Sequence, residues 1–337
     1  NFTKIIEVKI KVAIMFGGAS AEAEISKKSA QVVQEQLPKE KYDSKLVELG
    51  EPWKVHLNQG SAVINKDDFS YLDGGSRHNF DFVFIAVHGH PGENGILQGY
   101  FDLLKIPYSA PNVLTSAITF NKKICSDYLR YHGITCPTSV TLYKNQLFEE
   151  EQLALSAYPV FVKPAESGSS YGIRKVNRND DLALAIENAF NYSDCVLVEQ
   201  FIEGREVTCG VYDFGEGLVA LPVTEIITHR DFFDYEAKYL GESDEITPAN
   251  LDLEEGISVQ ETAKMIYRKL RMTGVSRVDF IMKGKDLYFI EINSVPGLSK
   301  ESIIPQQVRA QGMELGEFFD RWIDYLYSSR PNTTVAP

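Results

Sequence analysis

No two of the four cysteines, Cys125, Cys136, Cys195 and Cys209, form a CxxC pair. That spacing argues against a zinc knuckle or a disulfide framework and leaves buried free thiols as the simple reading. Apolar runs are short, none approaching the ~20 residues that cross a bilayer, so no membrane role is expected. Positive charge is also in short supply: 34 Lys and Arg stand against 47 Asp and Glu, a net charge of -13. With no basic stripe to neutralise backbone phosphates, a nucleic-acid partner is not expected. Repeats and low-complexity tracts are missing as well. The first residues, NFTKIIEVKIK, alternate apolar with charged side chains and lack the apolar stretch of a secretory signal, which points to the cytoplasm.

The 337 residues, 44% of them hydrophobic, are enough for two or three domains with cores of their own. A short apolar strand at 12–16, the turn GGASAEAEIS and a helical pattern to residue 37 form one strand–turn–helix unit. A strand at 81–87, then HGHPGENG and a helix at 96–104, form another, so residues 1–112 read as an α/β domain with a parallel sheet. Residues 113–203 read as an α+β unit. It contains a helical stretch at 116–132, a strand near Val140, a helix near Glu150, a hairpin at 160–176, a helix at 181–191 and the strand CVLVEQF. Residues 204–337 hold strands at 207–212, 218–226, 275–282 and 287–292, a helix at 259–271 and a C-terminal helix at 315–327. Residues 228–251 have little periodicity and are too long for an ordinary connection, which makes them a candidate lid.

Two stretches carry chemistry. In VFVKPAESGSSYGIRKV, residues 160–176, an apolar run ends in Lys163, passes through a Gly-Ser loop and resumes as a strand. Such a loop suits phosphate, with glycine admitting close backbone approach and serine adding hydroxyl donors. Because no helix follows, the phosphate would lie under a β-hairpin flap. In SRVDFIMKGKDLYFIEINSVPGL, residues 276–298, Val278, Phe280 and Met282 form an apolar face opposed by Arg277 and Asp279. On the second strand, Tyr288, Ile290 and Ile292 oppose Glu291 and Asn293. Gathering the polar groups requires a three-residue loop at 284–286 or a bulge, with Asp279 facing Glu291 and Arg277 facing Asn293. Asp, Glu and Asn are hard oxygen ligands suited to Mg²⁺ on nucleotide phosphates, and an Arg beside them suits developing negative charge. A merely solvated sheet face is the alternative. His88 and His90 lack a third nitrogen ligand for a metal centre. Glu24 lies where a carboxylate suits the start of a helix.

Lys163 with its GSS loop, VLVEQFIEGREVT, DYEAKY and the SRVDF to EINSVPG hairpin together resemble the ATP-grasp enzymes, and within them the D-alanine–D-alanine ligase family. The likeness runs from GGASAE to SIIPQQ. It implies an ATP-grasp fold behind an N-terminal α/β domain, with the nucleotide held between two antiparallel sheets. It implies that D-alanine and ATP are substrates, joined to D-alanyl-D-alanine for peptidoglycan through an acyl phosphate. Two Mg²⁺ or Mn²⁺ ions on Asp279, Glu291 and Asn293 are implied, as is a homodimer. By the same resemblance Lys122, Lys163, Gly168, Ser169, Ser170 and Lys238 serve the phosphates, and Glu199, Gln200, Ile202 and Glu206 the adenosine. Glu24, linked through Ser169 to Tyr239, takes the first ammonium; His88 and Glu93 lie on the substrate side; Arg277 and the Gly297 N–H hold the oxyanion, and Ser302 the acceptor carboxylate. Ala23, Tyr171, Asn121 and Ser294 depart from the usual pattern without removing a catalytic group. D-alanine–D-serine and D-alanine–D-lactate ligation are the alternatives, with a catalytically silent nucleotide-binding module beyond them. A neutral phenol at Tyr239 favours an amine acceptor over D-lactate.

Overall fold

In the structure, a computed structural model that describes residues 8–18, 22–146, 158–168, 171–228 and 243–329, the strands of the described residues form three sheets. The first is built by β1 (Ile10–Gly17), β2 (Tyr42–Leu49), β3 (Lys54–His56), β4 (Ser61–Asn65), β5 (Ser70–Asp73), β6 (Ser76–His78) and β7 (Phe82–Ile85), in the order β6-β5-β4-β3-β2-β1-β7. β1 pairs in parallel with β2 and β7, and Val83 of β7 makes a single parallel bridge to Tyr108. Beyond β2 an antiparallel meander extends the sheet, a departure from the parallel expectation. Those meander strands are short and partly exposed, so they lack the continuous apolar run that marks β1. Helices α1 (Ala23–Gln36) and α2 (Ile96–Leu104) belong to this unit.

Where one helical stretch was expected there are two, α3 (Val113–Phe120) and α4 (Lys122–Tyr131). Asn121 separates them: its backbone is extended and its side chain accepts the Ile124 N–H at 2.9 Å, capping α4. The break places Lys122 at the first turn of a helix. The second sheet has β8 (Ser139–Tyr143), β9 (Val160–Pro164), β10 (Arg174–Val176) and β11 (Cys195–Gln200) in the antiparallel order β10-β9-β11-β8, with α5 (Leu182–Ala189) packed on it. The helix expected near Glu150 lies outside the described residues.

The third sheet runs β15-β14-β12-β16-β17, with β13 on β12. Its strands are β12 (Arg205–Asp213), β13 (Leu218–Ala220), β14 (Thr224–Thr228), β15 (Ser243–Ile246), β16 (Gly274–Lys283) and β17 (Asp286–Asn293). Part of the segment read as a lid is therefore sheet, since β15 pairs with β14; residues 229–242 lie outside the described residues. Helix α6 (Leu253–Lys269) starts earlier than periodicity suggested, because Asp252 and Glu255 form a capping box ahead of the first buried residue, Val259. After α7 (Ile303–Ala310), helix α8 (Leu315–Ser329) returns to the first sheet. There Trp322 stacks edge-on to Phe84 at 4.9 Å and donates from Nε1 to the Ser109 carbonyl at 3.1 Å, tying the end of the fold to its beginning.

One glycine governs the loop that follows β7. A Cβ at Gly92 would sit 1.9 Å from the Val87 carbonyl oxygen, a backbone atom that cannot yield. Gly92→Ala is expected to cost about 3 kcal/mol or more through overpacking and forced backbone movement. Urea denaturation measures this; a midpoint equal to wild type contradicts it.

Candidate active site

Hairpin β16–β17 closes through a two-residue turn, Lys283 pairing with Asp286, and the register then slips between Asp279 and Phe280. The bulge, rather than a longer loop, brings Asp279 opposite Glu291 and Arg277 opposite Asn293. It also moves Phe289 into the core opposite Phe280 and turns Ile290 outward, against the alternation expected for β17. Asp279 is buried and densely satisfied. It accepts a two-pronged pair from Arg277 at 2.9 and 2.8 Å, Asn293 Nδ2 at 3.0 Å and the Thr208 hydroxyl from β12. Bidentate geometry of this kind fixes the guanidinium plane as well as its charge.

Between the second and third sheets lies a cavity of about 490 Å³. Phe161, Ile173, Phe201, Ile202, Ile281 and Ile290 give it apolar walls, the environment a planar base requires. Glu199, Gln200 and Glu206 line it too, and the buried Lys163 pairs with Glu199. Lys122 reaches in from the start of α4: its Nζ donates to the Ser167 carbonyl at 2.8 Å and lies 3.4 Å from Glu291 Oε2. That lysine thus links the flap to the acidic strand. Of the four departures, Asn121 caps α4 and donates to Glu166 at 2.6 Å, and Tyr171 stacks on Tyr192 at 6.4 Å.

A second cavity, of about 500 Å³, adjoins the first, and Glu291 lines both. Arg277, Asn293, Gly297, Ser302, His88 and Glu93 face it, drawn from both ends of the chain. Of the two acids at the start of α1, it is Glu22 that lines this cavity and not Glu24, against the expectation for Glu24. Glu22 is buried at the helix start, and a Cβ at Gly168 would meet its Oε2 at 2.6 Å, so the flap loop closes against it. Glu24 is exposed, turned away by two residues of helical rotation and absent from the cavity wall. A stripe of buried residues, Ser26, Ser29, Ala30 and Val33, continues the face of Glu22, so helical spacing carried the signal that favoured the earlier acid. Ser169, Ser170, Lys238 and Tyr239 lie outside the described residues.

His88 is buried, and its Nδ1–H donates to the Val295 carbonyl at 2.9 Å. Desolvation holds its pKa below the usual imidazole value, against the pull of the nearby Glu22 charge, so the ring is neutral. Glu93 accepts the Gly89 N–H at 2.7 Å and the Val295 N–H at 3.2 Å. Desolvation first, then the charges of Glu22 and Glu291, push its carboxyl up from 4.5 to about 7 against those two donors. A carboxyl with a raised folded-state pKa holds its proton better when folded. The protein therefore loses stability as pH rises from 4.5 to about 7. In metal-free buffer, wild type should lose up to about 3 kcal/mol relative to Glu93→Gln across this window. Urea midpoints at stepped pH measure the difference, and a flat difference contradicts it.

An apolar-walled cavity between two antiparallel sheets, opening at a shared carboxylate onto a polar cavity, is the arrangement of an ATP-grasp enzyme. Residues 11–111 match the family described as D-ala D-ala ligase N-terminus, and residues 129–324 the one described as D-ala D-ala ligase C-terminus. The chain belongs to the D-alanine–D-alanine ligase family. It is 45% identical over 312 residues to the D-alanine–D-alanine ligase of Phocaeicola vulgatus, covering 91% of this chain and 96% of that one. Among solved structures, the D-Ala:D-Ser ligase of Enterococcus faecalis superposes with a TM-score of 0.85 at 32% identity, covering 95% of this chain and all of that one. The D-alanine–D-alanine ligase of Bacillus anthracis complexed with ATP superposes with a TM-score of 0.77 at 27% identity, covering 94% and 97%.

Proposed function

We propose that the chain joins two D-alanine molecules, using ATP, to D-alanyl-D-alanine for peptidoglycan synthesis. The observation that carries this reading is Glu291, which borders both cavities and so marks where the end of a triphosphate meets an amino-acid carboxylate. The first D-alanine, its ammonium facing Glu22, presents its carboxylate to the γ-phosphorus and an acyl phosphate forms with ADP leaving. The amine of the second D-alanine then attacks the acyl carbon, and phosphate departs. Arg277, held flat by Asp279, and the Gly297 N–H face the oxygen that gains charge in that step. Ser302 lies beside Gly297 to receive the acceptor's carboxylate. Lys122 and Lys163 offset phosphate charge.

Two carboxylates and a carboxamide on one sheet face are a donor set that suits Mg²⁺ or Mn²⁺. Asp279, Glu291 and Asn293 would hold the ions, whose bound charge neutralises phosphate oxygens. Among the described residues no helix is long and apolar enough to cross a membrane, and a cytoplasmic enzyme fits its substrates. The homodimer implied by the family would use the exposed apolar side chains Ile96, Leu103 and Leu114.

The likeness to a D-Ala:D-Ser ligase supports one alternative, D-serine as acceptor. Purified protein given ATP, Mg²⁺ and D-alanine should release phosphate in step with dipeptide, and with D-alanine and D-serine together the main mass should be D-alanyl-D-alanine. Absence of D-alanine-dependent phosphate release contradicts ligation; D-alanyl-D-serine as main product moves the function to the alternative.

A further inference from the structure

The loop after β17 carries the Gly297 N–H and has no regular structure to hold it. Its grip comes from the other end of the chain. The Val295 N–H is taken by Glu93, the Val295 carbonyl by His88 Nδ1–H, and the Leu298 N–H by Ser29 Oγ at 3.0 Å. Pro296 has no N–H, and among the described residues the Gly297 N–H makes no hydrogen bond. The two outer amides are pinned, and the middle one lies on the cavity wall.

Ser29 is fully buried on the inner face of α1. Its Oγ also lies 3.4 Å from His88 Nε2. Since a carbonyl only accepts, His88 carries its proton on Nδ1 toward Val295, and the neutral ring's Nε2 is left to accept the Ser29 hydroxyl. One hydroxyl therefore accepts from Leu298 and donates to His88, so that both ends of the 295–298 segment are coupled through a single side chain.

We propose that Ser29 is a positioning residue for the ligation step, holding the Val295–Leu298 loop so that the Gly297 N–H points at the oxygen that gains charge when the acyl carbon is attacked. This rests on the ligase reading above. A donor worth its full effect must be fixed before the reaction, and a displacement of about 1 Å costs on the order of 10²-fold. Ser29 touches no substrate in this account; it acts through the loop.

The test is Ser29→Ala in the full-length enzyme, first shown to be folded by circular dichroism. The expected result is a kcat lower by about 30-fold, an unchanged KM for ATP, and binding of a tetrahedral phosphinate dipeptide analogue weakened by a similar factor. A structural role alone would lower the melting temperature and leave kcat per folded molecule and phosphinate affinity as in wild type. That result overturns the proposal, as does a loss confined to the KM for ATP. Ser29→Cys keeps the size and a weak donor and acceptor, and should recover part of the kcat. If the alanine variant does not fold, the cysteine variant decides: a kcat about 10-fold below wild type supports the proposal and a wild-type kcat overturns it. A wild-type enzyme with no D-alanine-dependent turnover would instead remove the ligase reading itself, so the two failures are distinct.

Discussion

Glu291→Gln is expected to lower kcat by about 10³-fold and leave the fold intact, the largest effect of any single substitution in the account. The side chain lines both cavities, faces Asp279 across the hairpin and lies 3.4 Å from Lys122. Replacing its carboxylate by an amide hardly changes volume, so packing around the partly buried side chain survives. What is lost is a negative charge at the point where ions and phosphates would be gathered. Glutamine also turns a donor toward Lys122, where the carboxylate offered only acceptors. Rates of dipeptide formation over a Mg²⁺ series, with circular dichroism as control, measure this. Near wild-type synthesis at limiting Mg²⁺ contradicts the assignment.

Arg277→Gln is expected to lower kcat by about 10²–10³-fold, the usual loss when one oxyanion donor is removed, and also to reduce stability. The second effect arises at Asp279, which is buried and would lose its two-pronged partner. Removing one member of a buried ion pair leaves the other uncompensated, at a cost of about 3–5 kcal/mol where burial is complete. Here Thr208 and Asn293 still donate to Asp279, so a loss of about 2 kcal/mol is expected. Arg277→Lys keeps the charge without the planar fork and should fall between the two in both measures. Steady-state kinetics and urea denaturation separate them. A lysine variant as active as wild type would show that charge alone suffices and that the fork has no role.

Much of the site was legible in the sequence because its determinants are local. Alternation along 276–293 separates Arg277 and Asp279 from the apolar residues, and keeping those faces apart requires a bulge or a longer loop, which the structure supplies as the bulge at Asp279/Phe280. The position of the bulge was not legible, since a bulge is chosen by packing against neighbouring strands. Phe289 and Ile290 exchanged places for that reason. Glu22 and Glu24 are two acids at the start of one helix, and what separates them is the face each takes, Glu22 lying on the buried side against Gly168. Had the buried stripe through Ser26, Ser29 and Val33 been extended backwards, it would have ended on Glu22. The meander β3–β6 and the return of α8 onto the first sheet were invisible for a different reason. Short edge strands have little periodicity, and the partner of a C-terminal amphipathic helix is set by the whole chain.

The central claim is that Glu291, Arg277 and their neighbours bring a nucleotide's terminal phosphate to an amino-acid carboxylate, making an acyl phosphate before the peptide bond. D-alanine labelled with ¹⁸O in its carboxylate tests this most directly, with ATP, Mg²⁺ and the wild-type enzyme, and mass analysis of the phosphate released. The account predicts one ¹⁸O atom in the inorganic phosphate for each dipeptide formed, because the oxygen that attacks phosphorus leaves with it. Unlabelled phosphate alongside dipeptide, or label appearing in AMP, would contradict it.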